Sequence, residues 1–272
     1  MDMVQKAVIM ARGLGTRMRR KDESAVLDRR QSEVAGSGLK ALIPIDRPFL
    51  DYVISALADA GYSRVCLVIG PEHQVVRDYY TIESPPRRVR IEFAVQEKPL
   101  GTADAVRAAR EFAGGDLFLA INSDNYYPVE ILAAMRALRQ SGVALFDRDA
   151  LVAESNIPAD RVQKFSVAEI DMERCLRHIY EKPDDDIFRR LGSPLYVSMN
   201  CWVFSPAIFK ACLEIRPSAR GELELTDAVQ YAIDVLGEKH KAMMFRSAVL
   251  DLATRSDVAA VAERLKKITP NP

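Results

Sequence analysis

The residues with the most chemical content stand near the start of the chain: Val8-Ile9-Met10-Ala11-Arg12-Gly13-Leu14-Gly15-Thr16-Arg17-Met18. A short apolar run reads as a buried strand. It breaks into a glycine loop that carries positive charge. Glycine lets a backbone turn sharply and come close to a ligand. Successive backbone N–H groups in such a loop make an anion-binding concavity. Arg17 adds a planar fork that fits phosphate oxygens two at a time. The loop therefore reads as a phosphate-handling device. Two standard motifs do not fit it. A dinucleotide fingerprint needs a third glycine where Met18 stands, and a P-loop needs a Gly-Lys-Ser/Thr triplet that the sequence lacks.

Other side chains suit the same chemistry. Asp124 ends a buried run inside Asn122-Ser123-Asp124-Asn125, and Asp251 follows an apolar run in Val249-Leu250-Asp251-Leu252. A carboxylate at a strand end can hold a hard cation, with water and phosphate filling the other positions. Either aspartate alone is equally a strand-end turn residue. Gln96 can read a base edge by paired hydrogen bonds. Gly101 and Thr102 open a helical pattern with an apolar face (Ala103, Val106, Ala109, Phe112). A small residue at a positive helix end suits a base or a phosphate, and Thr102 also reads as a helix cap. Trp202 is a core aromatic or a stacking platform.

Alternating elements must position these groups. Residues 64–70 and 116–121 read as buried strands. Leu50, Val53, Ile54 and Leu57 recur at helical spacing, as do Leu225, Ala228, Val229, Ala232 and Leu236. Alternating strands and helices predict an α/β fold: a Rossmann-like, mostly parallel mixed sheet flanked by helices. Ligands on such sheets bind beyond the carboxyl ends of the strands, where the glycine loop and Asp124 both fall. Residues 161–180 and 196–204 read as longer, more polar strands, an inserted antiparallel layer on the acceptor side of a cleft. No linker divides the chain. One domain over 1–272 is expected, with 1–125 mainly binding nucleotide and 126–272 mainly binding a sugar phosphate. Residues 20–38 read as the one loop long enough to be mobile.

Composition narrows the partners. Lys plus Arg equals Asp plus Glu at 38 each, which argues against nucleic acid or an anionic membrane. The charge is uneven: residues 12–30 hold seven cations and three acids, a net +4. That segment is a solvated basic loop or a lid over a triphosphate. Cys66, Cys175, Cys201 and Cys212 form no CxxC pair, which disfavours a zinc site and fits a reducing, cytoplasmic compartment. No apolar run approaches the ~20 residues of a membrane span, and the N-terminus lacks signal-peptide form.

In order along the chain, Gly13-Leu14-Gly15-Thr16-Arg17-Met18, Lys40-Ala41-Leu42-Ile43-Pro44-Ile45, Gln96, Gly101-Thr102-Ala103-Asp104-Ala105, Asn122-Ser123-Asp124, Glu181-Lys182-Pro183, Arg220-Gly221-Glu222-Leu223-Glu224-Leu225-Thr226-Asp227 and Leu250-Asp251-Leu252 resemble the sugar-1-phosphate nucleotidyltransferases, the glucose-1-phosphate thymidylyltransferases in particular. The resemblance spans nearly the whole chain. It implies that an NTP and a sugar 1-phosphate give an NDP-sugar and pyrophosphate with Mg²⁺. It implies a nucleotide site at Ala11, Gly13, Leu14, Gly15, Thr16, Arg17, Gln96, Gly101 and Thr102. It makes Arg17, Lys40 and Lys182 the catalytic cations, although Lys40 alone reads as a surface lysine before an apolar strand. It places the sugar phosphate on Glu181, Lys182, Asn200 and Glu222, and Mg²⁺ between Asp124 and Asp251. Arg12, Arg20, Ala41, Ser123 and Ala253 depart from the family pattern; Arg12 replaces a small residue. A non-catalytic binding module and a non-sugar acceptor such as phosphocholine stay open. A homo-oligomer is compatible, and no appended acyltransferase repeat is expected after Asp251.

Overall fold

Strand β1 (Lys6–Met10) lies buried along its whole length, as its apolar run predicts. The computed structural model describes residues 3–23 and 25–272. The other strands are β2 (Arg64–Ile69), β3 (Arg90–Val95), β4 (Phe118–Asn122), β5 (Asn125–Tyr126), β6 (Gly142–Asp147), β7 (Val167–Ile170), β8 (Leu176–Tyr180), β9 (Tyr196–Phe204), β10 (Lys241–Phe245) and β11 (Leu250–Asp251). The main sheet runs β10-β6-β9-β4-β1-β2-β3, and β7 and β8 branch from β9. The β4, β1, β2 and β3 pairings are parallel, as is β10 with β6. Strand β9 enters antiparallel to β4 and β6. The fold is mixed α/β with a largely parallel central sheet flanked by helices.

Strand periodicity divides the core into two layers. Ala7 and Ile9 of β1, Val65 and Leu67 of β2, and Leu119 and Ile121 of β4 join one apolar cluster. Val8 and Met10, Cys66 and Val68, and Phe118 and Ala120 join the other. The first layer packs under the helices Phe49–Asp59, Val129–Arg136 and Asp257–Leu265. The second packs under Thr102–Ala108, Ala207–Glu214 and Leu225–Asp234. Leu50, Val53, Ile54 and Leu57 are essentially inaccessible, each contributing roughly 1.5–3 kcal/mol over an exposed side chain. Trp202 is a core residue, stacked on Phe204.

Two local expectations are corrected. The 20–38 segment is not one loop, because Arg29–Ser37 is helical. Asp28 accepts from the Gln31 N–H while the Gln31 side chain accepts from the Asp28 N–H, a reciprocal cap that fixes the helix start. The 161–180 region holds only the short strands β7 and β8, preceded by the helical turn Ala159–Val162. Among the described residues, no helix is long and apolar enough to cross a membrane.

Candidate active site

Parallel pairing puts Met10 of β1 opposite Asn122 of β4. The glycine loop and the Asp124 turn therefore leave the same edge of the sheet, and the Ser123 N–H donates to the Met10 carbonyl at 3.2 Å. Gly15 adopts φ +60°, the left-handed region open to glycine. A Cβ on Gly15 would lie 2.2 Å from the Gly38 carbonyl oxygen, so the two glycines pack backbone to backbone. That contact brings Lys40 to the loop: its N–H donates to the same Gly38 carbonyl at 2.9 Å, and its ammonium pairs with Asp124.

Asp124 and Asp251, 127 residues apart in sequence, are joined by a two-stranded ribbon in which Asp251 pairs with Asn125. The Leu252 N–H donates to the Asp124 carbonyl at 2.8 Å. Asn156 bonds both the N–H and the carbonyl of Asp251 and clamps the far side. The Asp251 carboxylate accepts from Asn125 Nδ2 at 3.1 Å and from Arg161 at 3.0 Å. Burial first, then the Asp124 charge, holds the Asp251 carboxyl above the usual range, with Arg161 and Lys40 opposing. Two crowded carboxylates, one of them buried, are a donor set for a hard divalent cation. Asn125 and Arg161 carried no local sequence signal; their roles arise from tertiary contacts.

Two cavities meet at this point. The first, about 370 Å³, is lined by Ala11, Gly13, Leu14 and Thr16 with Lys40, Gln96, Gly101, Thr102 and Asp124, among others. Gly15 is buried by its packing on Gly38 and does not line it. The second, about 310 Å³, takes in Arg17, Glu181, Asn200, Glu222 and Asp251, with Thr102, Asn122, Asp124, Asn200 and Glu222 shared between the two. Asn200 has φ +58°. It sits where the β6–β9 register shifts, so a bulge turns the strand at the junction of the cavities.

The details refine the sequence reading. Gln96 Nε2 is spent on the Gly101 carbonyl (3.0 Å) and Asp104 (2.9 Å), so the residue presents its carbonyl oxygen and not a donor–acceptor pair. Gly101 and Thr102 do not offer a free helix end. The Ala103 N–H bonds the Leu223 carbonyl, and the Thr102 hydroxyl accepts from the Leu225 N–H. Thr102 thus caps the helix starting at Leu225, not its own. Lys182 lies exposed at φ +47° past the end of β8 and lines neither cavity. Lys164 and Arg220 line the second cavity in its stead. Arg220 bonds Glu224 at 2.6 Å and sits 3.8 Å from both Glu181 and Glu222. The Ser166 hydroxyl donates to Glu181 as well. Arg220 belongs to the Arg220–Asp227 motif, and only the fold brings it among three glutamates.

Known proteins resemble this chain in sequence and in fold. The nucleotidyl transferase family model matches residues 33–267. The match starts after the glycine loop. The low-salt glycan biosynthesis nucleotidyltransferase Agl11 of Haloferax volcanii is 29% identical over 237 residues, covering 84% of this chain and 59% of that protein. A glucose-1-phosphate thymidylyltransferase of Streptomyces griseus is 31% identical over 231 residues, covering 84% and 57%. The chain spans under three-fifths of the length of these curated relatives. A crystal structure of UDP-glucose pyrophosphorylase with UDP-glucose shares the fold, with a TM-score of 0.74 at 20% identity over 98% of this chain and all of that one. By sequence match and by fold, the chain belongs to the nucleotidyl transferase family.

Proposed function

We propose that this protein joins an NTP and a sugar 1-phosphate to give an NDP-sugar and pyrophosphate. The observation that carries the reading is the meeting of two cavities at Asp124, Asp251 and Lys40. In the reaction an oxygen of the sugar phosphate bonds to the α-phosphorus as the α–β bridging bond breaks, and pyrophosphate leaves. All participants are anions, so positioning and charge neutralisation carry the rate.

Each group has a part in that step. Gly13, Leu14 and Thr16 hold the donor phosphates, and Arg17, on the wall of the second cavity, neutralises phosphate charge where the two cavities meet. Gln96 Oε1 and Gly101 face the base. Lys40, a short reach from the glycine loop, neutralises charge at the reacting phosphorus when it leaves Asp124. Mg²⁺ fits Asp124 and Asp251; bound there, it supplies charge for the phosphates without proton transfer. In the second cavity Glu181, Glu222 and Asn200 accept or donate to sugar hydroxyls, and Arg220 fixes the glutamates. Phe165 is the one aromatic residue among those lining that cavity, which supports a hydroxylated acceptor over a choline-type cation. The names of Agl11 and of the thymidylyltransferase support the reaction class. Four free, buried cysteines support a reducing, cytoplasmic setting.

The test is a screen of ATP, GTP, CTP, UTP and dTTP against a panel of sugar 1-phosphates with Mg²⁺, reading pyrophosphate. Release that requires one NTP and one sugar phosphate together is expected. Nucleotide binding with no pyrophosphate from any pair would convert the reading to a non-catalytic binding module.

A further inference from the structure

Behind Asp251 stands an ion network whose other members, Arg161 and Asp257, line neither cavity. Asp251 Oδ1 accepts from Asn125 Nδ2 at 3.1 Å, and Oδ2 accepts from Arg161 Nη1 at 3.0 Å. A carboxylate has about four lone-pair positions, so these two donors leave room for a cation. Arg161 is gripped in turn by Asp257, the first residue of the helix Asp257–Leu265. Nη1 donates to Asp257 Oδ2 and Nη2 to Oδ1, both at 3.0 Å. The two hydrogens of Nη1 are thus divided between Asp257 and Asp251. Asp257 is fixed from behind, where Oδ2 accepts from the N–H groups of Ala253 (3.1 Å) and Thr254 (2.7 Å) and from the Thr254 hydroxyl (2.8 Å). All three charged side chains are shielded, at 15% exposure for Arg161, 9% for Asp251 and 6% for Asp257.

Stability alone does not account for such a network. A buried ion pair adds little over an apolar core of the same volume, because desolvation offsets the attraction. Contact with a substrate does not account for it either, since Arg161 reaches neither cavity. Its one contact with the site is Asp251, which lines the second cavity together with Asp124. The grip of Asp257 decides what that contact does. An arginine free to turn its whole fork on Asp251 would cover both oxygens and oppose a cation there. Held bidentate by Asp257, Arg161 offers Asp251 a single N–H, and its charge is matched by Asp257. Asp251 is oriented and keeps its own charge.

We infer that Arg161 is a positioning residue for the metal centre: anchored by Asp257, it fixes the Asp251 carboxylate so that its remaining lone pairs stay open to a divalent cation in the second cavity. This rests on the metal reading of Asp124 and Asp251 and adds the device that aims one of them.

The experiment measures Mn²⁺ binding by water-proton relaxation, for the protein alone and with each NTP of the screen, in wild type, Arg161→Lys, Asp257→Asn and Asp251→Asn. Lysine keeps a cation beside Asp257, so the fold should survive, but it is a point donor without the fork. Asparagine keeps the shape at 257 and an acceptor for the turn at 253–254, but frees Arg161 to turn on Asp251. Arg161→Lys and Asp257→Asn should each weaken Mn²⁺ binding by roughly ten- to a hundredfold, the scale of losing an outer-shell partner of a metal ligand. NTP affinity without metal should not change. Thermal unfolding checks that each variant is folded. A purely structural role would lower the unfolding temperature and leave Mn²⁺ affinity where it was; that result in either folded variant overturns the inference. Wild-type Mn²⁺ uptake no better than that of Asp251→Asn, with and without NTP, overturns the metal reading itself.

Discussion

Gly13 and Gly15 are two residues apart in one loop, yet an alanine should act on them in opposite ways. At Gly15 the backbone is left-handed, and a Cβ would lie 2.2 Å from the Gly38 oxygen and 2.7 Å from its Cα. Left-handed geometry costs an alanine about 1–2 kcal/mol, and prising apart two packed backbones adds about 1–3 kcal/mol. Gly15→Ala should therefore lose about 2–5 kcal/mol of stability, a large share of a typical total. It should also impair the reaction, because Lys40 is tied to Gly38. At Gly13 nothing lies within 4 Å of the added Cβ. Gly13→Ala should leave stability unchanged or raise it by up to about 1 kcal/mol through the unfolded chain. Its methyl enters the first cavity, so NTP affinity should fall roughly tenfold or more, the scale of one lost close contact. Urea unfolding and nucleotide titration of both variants decide this. Equal stability of the two, or unchanged NTP affinity in Gly13→Ala, would refute the division into a packing glycine and a ligand glycine.

Kinetics with each substrate varied should separate the cavities: Arg220→Ala should raise KM for the sugar 1-phosphate more than for the NTP, by roughly fivefold or more at about 1 kcal/mol, and should outweigh Lys182→Ala. Equal effects of Arg220→Ala on both substrates would count against two subsites. His240 offers a pH test. Burial lowers its pKa to about 4, against a raising influence of Glu238. The unfolded chain then binds the extra proton first, so stability falls as pH drops from about 6.5 towards 4. Between pH 7 and pH 5 this amounts to about 2 kcal/mol that His240→Gln should not lose, read from urea unfolding at both pH values. Trypsin should cut at Arg20 or Lys21 before Arg29 and Arg30, which the capped helix protects. NTP with Mg²⁺ should slow the first cuts, and no slowing at saturation would make the basic segment a plain surface loop.

The buried strands were legible because their apolar runs fall on alternating faces of one sheet, and the edge that holds Gly13 and Asp124 follows from parallel pairing alone. The helix Arg29–Ser37 leaves little trace in the sequence because Ala35 is its only buried residue; its apolar periodicity is faint, although Asp28 and Gln31 have capping-box spacing. Thr102 was legible as a cap, but which helix it caps depends on the docking of Gly101 against Leu223. Lys182 looked like a site cation beside Glu181. β8 stops at Tyr180, and the left-handed turn at Lys182 sends the side chain to solvent. Arg161 and Asn125 could not be found from their neighbours in sequence, since their bonds to Asp251 span 90 and 126 positions.

The central claim is that Asp124 and Asp251 form the metal-dependent reaction centre between a donor and an acceptor cavity. The most direct measurement is ³¹P NMR of the NTP and sugar 1-phosphate selected by the screen, with limiting Mg²⁺, for wild type, Asp124→Asn and Asp251→Asn. Wild type should produce NDP-sugar and pyrophosphate in equal amounts, only with both substrates present. Each variant should remain folded and lose turnover, since the amide keeps the shape but lacks the charge a hard cation needs. Wild-type rates in either variant at limiting Mg²⁺, or phosphate release that ignores the sugar phosphate, would contradict the account.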